Sequence, residues 1–172
     1  LPELDAVCGT GSYTDIAEAV KSALEGQKKA YLRSSAEAAL EGGRVLLTKP
    51  YSAYLRIAEG CNNHCAYCVI PSLRGPFRSR TMEHILEEAR RLAAEGCKEL
   101  MLIAQDTTRY GTDLYGKRTL PQLVEALCAI DGIEWVRIHY LYPDELDDEL
   151  LEVMARNPKA LHYFDIPMQH IS

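Results

Sequence analysis

Three cysteines fall within eight residues, in the order Cys61-Asn62-Asn63-His64-Cys65-Ala66-Tyr67-Cys68, a C-x3-C-x2-C spacing with no fourth cysteine nearby. Thiolates are soft ligands that select zinc or iron–sulfur clusters. A structural zinc site closes its tetrahedron with paired elements, and a [4Fe–4S] cluster also takes four ligands. The fourth ligand here must be His64, a distant group or a bound molecule. Three thiolates on a four-iron cluster leave one iron open to bind something else, which is what catalysis requires. A zinc-stabilised binding module is the competing reading. His64 itself reads as a solvent-facing loop residue. Cys8, Cys97 and Cys128 stand in apolar strand or helix contexts and read as packing residues.

The elements that must position this trio follow a β/α rhythm. Tyr54–Ala58 is a strand candidate directly before the cysteines. The spacing predicts a helix over Met82–Glu95, with Ile85, Ala89, Leu92 and Ala93 on one stripe, Thr81 as cap and Gly96 as terminator. Its Glu87, Glu88, Arg90 and Arg91 read as the wet face. Glu99–Ala104 is a nearly continuous apolar run, which suits a strand covered on both faces. A polar loop through Gly116 leads to a helix at Leu120–Ile130. Trp135–Tyr140 then reads as a strand, Glu145–Arg156 as a helix closed by Asn157-Pro158, and Leu161–Ile166 as a fourth strand. Strands alternating with helices imply parallel pairing and right-handed crossovers. The fold class is therefore α/β, either a partial (β/α) barrel or a doubly wound sheet.

Ahead of this series, Leu4–Cys8 reads as a short strand, followed by a helix capped by Thr14 whose Ile16, Val20, Ala23 and Leu24 share one face up to Gly26. Residues 1–26 then resemble the last β/α unit of a preceding domain, 27–43 a linker, and 44–172 the start of the main domain. The chain has no initiator Met and is expected to be a piece of something longer.

Composition narrows the class further. The 172 residues carry 19 Lys+Arg against 25 Asp+Glu, a net charge of −6, and 47% are hydrophobic. Such values exclude disordered, collagenous and coiled-coil chains. No run reaches the ~18 apolar residues of a membrane span, and no export signal is visible, so a cytoplasmic location without membrane attachment is expected. The acidic balance argues against a whole-surface nucleic-acid binder. The local exception is Arg74, Arg78 and Arg80, interleaved with Phe77, which could dock an acidic substrate loop or nucleic acid.

The C-x3-C-x2-C loop after the first strand of a β/α series resembles the radical S-adenosylmethionine (SAM) enzymes. The surrounding Ala53-Tyr54-Leu55-Arg56-Ile57-Ala58-Glu59-Gly60-Cys61-Asn62-Asn63, Ile70-Pro71-Ser72-Leu73-Arg74-Gly75 and Arg78-Ser79-Arg80 are similar to the methylthiotransferases of that group. Ala104-Gln105-Asp106-Thr107-Thr108-Arg109-Tyr110-Gly111, Tyr142-Pro143 and Asp165-Ile166-Pro167-Met168-Gln169-His170-Ile171-Ser172 resemble the branch that modifies an aspartate of a small-subunit ribosomal protein. The branch that modifies tRNA adenosine is the alternative. The resemblance covers essentially the whole chain.

It implies a partial radical SAM barrel, here cut after about four strands. Cys61, Cys65 and Cys68 would bind a [4Fe–4S] cluster whose fourth iron takes SAM, and the chain would be part of a transferase. A second [4Fe–4S] cluster is expected in an N-terminal domain outside this chain, since Cys8 matches none of its ligand motifs. The remaining barrel strands and a C-terminal TRAM domain are likewise expected elsewhere, so the fragment alone should not complete a turnover. An electron donor of flavodoxin or ferredoxin type is implied, and the open sheet edges should favour self-association. Barrel enzymes place working residues where strands end. That rule selects Gln105 and Asp106 after the second strand, Tyr140 and Tyr142 after the third, and Gln169 and His170 after the fourth. Gln105 and Asp106 would bond the SAM amino group or ribose, Gln169 or His170 the ribose or substrate, and Tyr67 would lie beside the adenine. No catalytic acid or base is assigned.

Overall fold

A computed structural model describes residues 2–47 and 49–168. The chain divides into two compact units, one made of residues 1–42 and 60–76, the other of 43–59 and 77–172.

In the larger unit, strands β3 (Ser52–Arg56), β6 (Glu99–Ile103) and β7 (Trp135–Ile138) form a parallel sheet in the order β3-β6-β7. Between them lie α3 (Met82–Ala94) and α5 (Leu120–Cys128), and α6 (Asp148–Arg156) follows β7. A two-residue ladder pairs β4 (Ala58–Glu59) with β5 (Arg78–Ser79), antiparallel. The helices start where their sequence says they should. The Thr81 hydroxyl accepts from the His84 amide, and the Asp147 carboxylate accepts from Leu150 N at 2.9 Å. Pro121 sits in the first turn of α5, where a missing N–H costs nothing.

The three strands bury alternate residues. Ala53, Leu55, Leu100, Leu102, Val136 and Ile138 are at most 1% exposed and join the helices' apolar stripes in one core. The other face carries Ser52, Tyr54 and Arg56 on β3, Glu99, Met101 and Ile103 on β6, and Trp135 and Arg137 on β7, none of them fully buried. Registry sets these side by side: Tyr54 opposite Met101, and Met101 opposite Arg137. So β6, expected to be covered on both faces, is covered on one. Its apolar run is explained by the tolerance of Met101 and Ile103 for a half-buried position.

The expected fourth strand is reduced to a single parallel bridge, Val136 to Ala160. Backbone bonds hold Leu161–Ile166 only near its ends, with Leu161 N on Val136 O at 2.9 Å and Leu141 N on Asp165 O at 2.9 Å. Tyr140, whose φ is +58°, turns the intervening backbone away from a continuous ladder.

In the smaller unit, β1 (Ala6–Cys8) pairs in parallel with β2 (Lys29–Tyr31) around α1 (Ile16–Leu24). Residues 27–43, expected as linker, therefore contain a strand; three residues are too few to show a period. Thr14 does not cap α1. It lies in a short 3-10 turn (Tyr13–Asp15), and Asp15 spends its carboxylate on Arg33 at 2.9 Å. Of the expected apolar stripe, Ile16, Val20 and Leu24 are exposed, while Ala19 and Ser22 are buried. The close approach of β1 and β2 to α1 admits only the small side chains. A short helix α2 (Ile70–Arg74) completes this unit, tied by the Thr10 hydroxyl donating to Leu73 O at 2.7 Å.

Candidate active site

The chain leaves β4 at Glu59 and enters the cysteine loop through Gly60. Gly60 has φ +76°, and a Cβ there would lie 2.1 Å from the Pro76 carbonyl oxygen, so only glycine fits. Cys61 N donates to Gly75 O at 3.2 Å, which closes the loop at its base. Inside it, Asn63 N donates to Cys61 Sγ at 3.4 Å, and Cys68 N returns to Cys65 O at 2.9 Å. Cys61 is buried, Cys65 half-buried and Cys68 exposed, and none of the six cysteines is in a disulfide. His64 and Tyr67 are exposed.

Among the described residues, no three His, Cys, Asp or Glu side chains are gathered as a metal site. The loop supplies three thiols within eight residues without converging them. The donor set nevertheless fits an iron–sulfur cluster: soft sulfur ligands, two of them accessible, on a segment without regular structure between Gly60 and Val69. Metal sites that assemble on binding behave in this way. Cys97 and Cys128 do not belong to the set. Cys97 is fully buried, its Sγ donates to Glu99 O at 3.2 Å, and burial raises its pKa. Burial pushes the Cys128 thiol up to about 11. Both are held as neutral packing groups, as expected.

At the C-terminal ends of the parallel strands lies a rim of polar groups. After β6, Gln105 is exposed, whereas Asp106 is 2% exposed and turned onto its own loop. Its Oδ1 accepts from Thr108 N at 3.1 Å and from the Thr108 hydroxyl, and its Oδ2 lies 3.3 Å from Arg109 Nε. Arg109 also pairs with Glu145 at 3.0 Å, which in turn meets Arg118. This loop, expected to be merely polar, is a buried knot: Thr107 and Tyr110 are fully buried, and the Tyr110 hydroxyl, its pKa raised by burial, donates to Arg80 O at 3.0 Å. A short helix, α4 (Thr112–Tyr115), ends it.

After β7, His139 Nδ1 stands 3.0 Å from Asp165 Oδ2, and Tyr140 is half-exposed. His139, Asp165 and Thr107 were not among the residues singled out from the sequence. Their signal was positional: each lies at or near the end of a parallel segment on the same rim. Tyr142 is exposed. Gln169 and His170 lie outside the described residues.

The arginine cluster separates. Arg74 is exposed at the end of α2 and Arg78 is half-buried in β5. Arg80 is 5% exposed, its Nη1 donating to Arg56 O and Glu88 Oε2, each at 2.7 Å. It is a structural cation and offers no docking surface. Glu88 correspondingly is not on a wet face: it also takes Arg44 at 3.0 Å.

The sequence profile of the Radical SAM superfamily matches residues 55–172. The chain belongs to the radical SAM superfamily. Two named relatives align over all of it: the ribosomal protein uS12 methylthiotransferase RimO of Clostridium tetani, 51% identical over 173 residues, and that of Caldanaerobacter subterraneus subsp. tengcongensis, 51% identical over 174. The alignments take in 39% and 40% of those proteins, so this radical SAM chain spans about two-fifths of the length of the curated relatives it matches. Among solved structures, the radical SAM methyltransferase TsrM from Kitasatospora setae, solved with cobalamin and a [4Fe–4S] cluster, superposes with a TM-score of 0.55 at 17% identity. That match covers 69% of this chain and 22% of TsrM, and it supports the partial-barrel fold. No helix among the described residues is long and apolar enough to cross a membrane.

Proposed function

We propose that this chain is part of a methylthiotransferase that adds a methylthio group to the β-carbon of an aspartate in ribosomal protein uS12. The observation that carries the reading is the C-x3-C-x2-C loop that follows β3 and β4 in a chain 51% identical, over its whole length, to 39% of a protein of that name. In this reading residues 44–172 begin the catalytic domain and residues 1–26 end the one before it.

Cys61, Cys65 and Cys68 would hold the [4Fe–4S] cluster as thiolates. When bound, the cluster and SAM supply one-electron chemistry able to take hydrogen from an unactivated carbon. The protein's own share is positional. Gly60 and the Cys61–Gly75 bond fix where the loop begins and ends. Asp106, Thr107 and Thr108 consume their polar groups within the rim, which leaves the Gln105 amide presented to solvent for the SAM amino group or ribose. Tyr67 offers an exposed ring for the adenine, and Arg74 and Arg78 remain as weak contacts for an acidic substrate loop. A flavodoxin- or ferredoxin-type donor, a cytoplasmic setting and self-association through the open side of β3 complete the proposal.

Anaerobic reconstitution with iron and sulfide tests it. The expected result is a broad absorption near ~400 nm with about four irons per chain, and methylthiolation of uS12 by the full-length protein under reducing conditions with SAM. Stoichiometric zinc in place of iron would support the binding-module alternative and end this reading. Modification of tRNA adenosine with uS12 untouched would redirect it to the other branch.

A further inference from the structure

Tyr140 is the one non-glycine among the described residues with a positive φ, +58°. Three contacts hold it there. Its N–H donates to Asp165 Oδ2 at 3.2 Å, and its carbonyl accepts from Thr107 N at 3.1 Å and from the Thr107 hydroxyl at 3.2 Å. The same hydroxyl reaches His139 O at 2.8 Å, and the same carboxylate faces His139 Nδ1 at 3.0 Å. Three successive rim segments are thus stitched around one strained residue.

The left-handed conformation disfavours any residue with a Cβ, and glycine would adopt it freely. A tyrosine is kept instead, and the residue is 50% exposed, so it contributes little to the core. The His139 ring lies 6.1 Å from it and 5.9 Å from that of Tyr163. Strain fixed by surrounding bonds, with an exposed amphipathic ring as the result, marks a surface built for something outside the chain. The phenol is an uncharged donor suited to an acidic side chain. The Asp165 carboxylate is already engaged by Tyr140 N and His139.

We propose that Tyr140 is a specificity-determining contact for the aspartate-bearing segment of the polypeptide substrate, and that Thr107 and Asp165 are positioning residues that hold it. This rests on the methylthiotransferase reading. In full-length, cluster-loaded enzyme assayed with ribosomal protein uS12, Tyr140→Gly raises KM about 10-fold while kcat changes much less and thermal stability stays equal or rises. Tyr140→Phe, which keeps the ring and loses the donor, raises KM by a smaller factor, and a wild-type KM in Tyr140→Phe overturns the phenol contact. Thr107→Val also raises KM, and Thr107→Ser restores it. An active wild type with an unchanged KM in Tyr140→Gly overturns this inference alone, as does a Tyr140→Gly variant that merely loses stability and kcat. A Thr107→Val variant with wild-type KM overturns the positioning role. Inactivity of the wild type toward uS12 overturns both this inference and the function on which it rests.

Discussion

Arg80 Nη1 lies 2.7 Å from Glu88 Oε2, with the two side chains only 6% and 11% exposed. The pair joins the start of the β5–α3 connection to the middle of α3, and Arg80 also caps a carbonyl of β3 through Arg56 O. Removing Arg80 leaves Glu88 with Arg44 as its remaining cation and takes away two charge-assisted hydrogen bonds. Arg80→Ala should therefore cost about 2 kcal/mol in urea unfolding. Arg74→Ala, at an exposed helix end, should cost less than about 0.5 kcal/mol. Equal effects would contradict the separation of the two arginines.

The base of the cysteine loop should be intolerant of a single methyl group. In Gly60→Ala the new Cβ meets the Pro76 carbonyl at 2.1 Å on a backbone already at φ +76°. A loss above about 2 kcal/mol is expected, together with lower iron uptake on reconstitution. Gly116 has φ +69° but open space around its missing Cβ. Gly116→Ala should cost only the left-handed strain, about 1 kcal/mol. Iron content and denaturation midpoints of the two variants give the comparison.

Cysteine substitutions should divide sharply. Cys65→Ala should abolish iron retention and SAM cleavage in the intact enzyme, whereas Cys97→Ala should keep its iron and lose only packing. Alkylation of the iron-free native protein at neutral pH should label Cys68, Cys65 and Cys8 before Cys97 and Cys128, which are buried and held protonated. Mass spectrometry of the labelled peptides reads the order.

Alkaline stability should report on Cys128. Its thiol has an ordinary pKa of 9.0 and is raised to about 11 in the fold. Below pH ~9 both states are protonated and the stabilisation is complete; above it the unfolded chain ionises first, so stability falls until the folded thiol ionises as well. Unfolding free energy should drop between those two values, and Cys128→Ala should flatten that part of the curve. An unchanged slope in the variant would refute the assignment.

The elements with strong periodicity were legible from sequence. Thr81 and Asn157-Pro158 bracket their helices where residue type and spacing place them, and β6 lies where its apolar run predicts a strand, though covered on one face rather than both. What escaped was built from long-range bonds to backbone. The Thr107 hydroxyl on His139 O spans 32 residues, the Tyr110 hydroxyl on Arg80 O spans 30, and no local pattern announces either. For the same reason Arg80 read as part of a docking cluster, and the segment through Gly116 as a polar loop. The cysteine trio shows in the sequence as spacing alone, and the folded loop, which has little secondary structure of its own, does not gather the three thiols. Leu161–Ile166 looked like a strand by composition, but Tyr140's backbone interrupts the partner it needed.

Along β3, β6 and β7, the demands of folding fall on alternate letters of the same words. One set of residues meets the helices, and the next residue in each case lies on the half-covered side. Drift at Tyr54, Met101 or Arg137 can therefore reshape that side while Leu55, Leu102 and Ile138 keep the protein folded. Through that parity a lineage could vary one surface of the sheet without first acquiring a stability surplus.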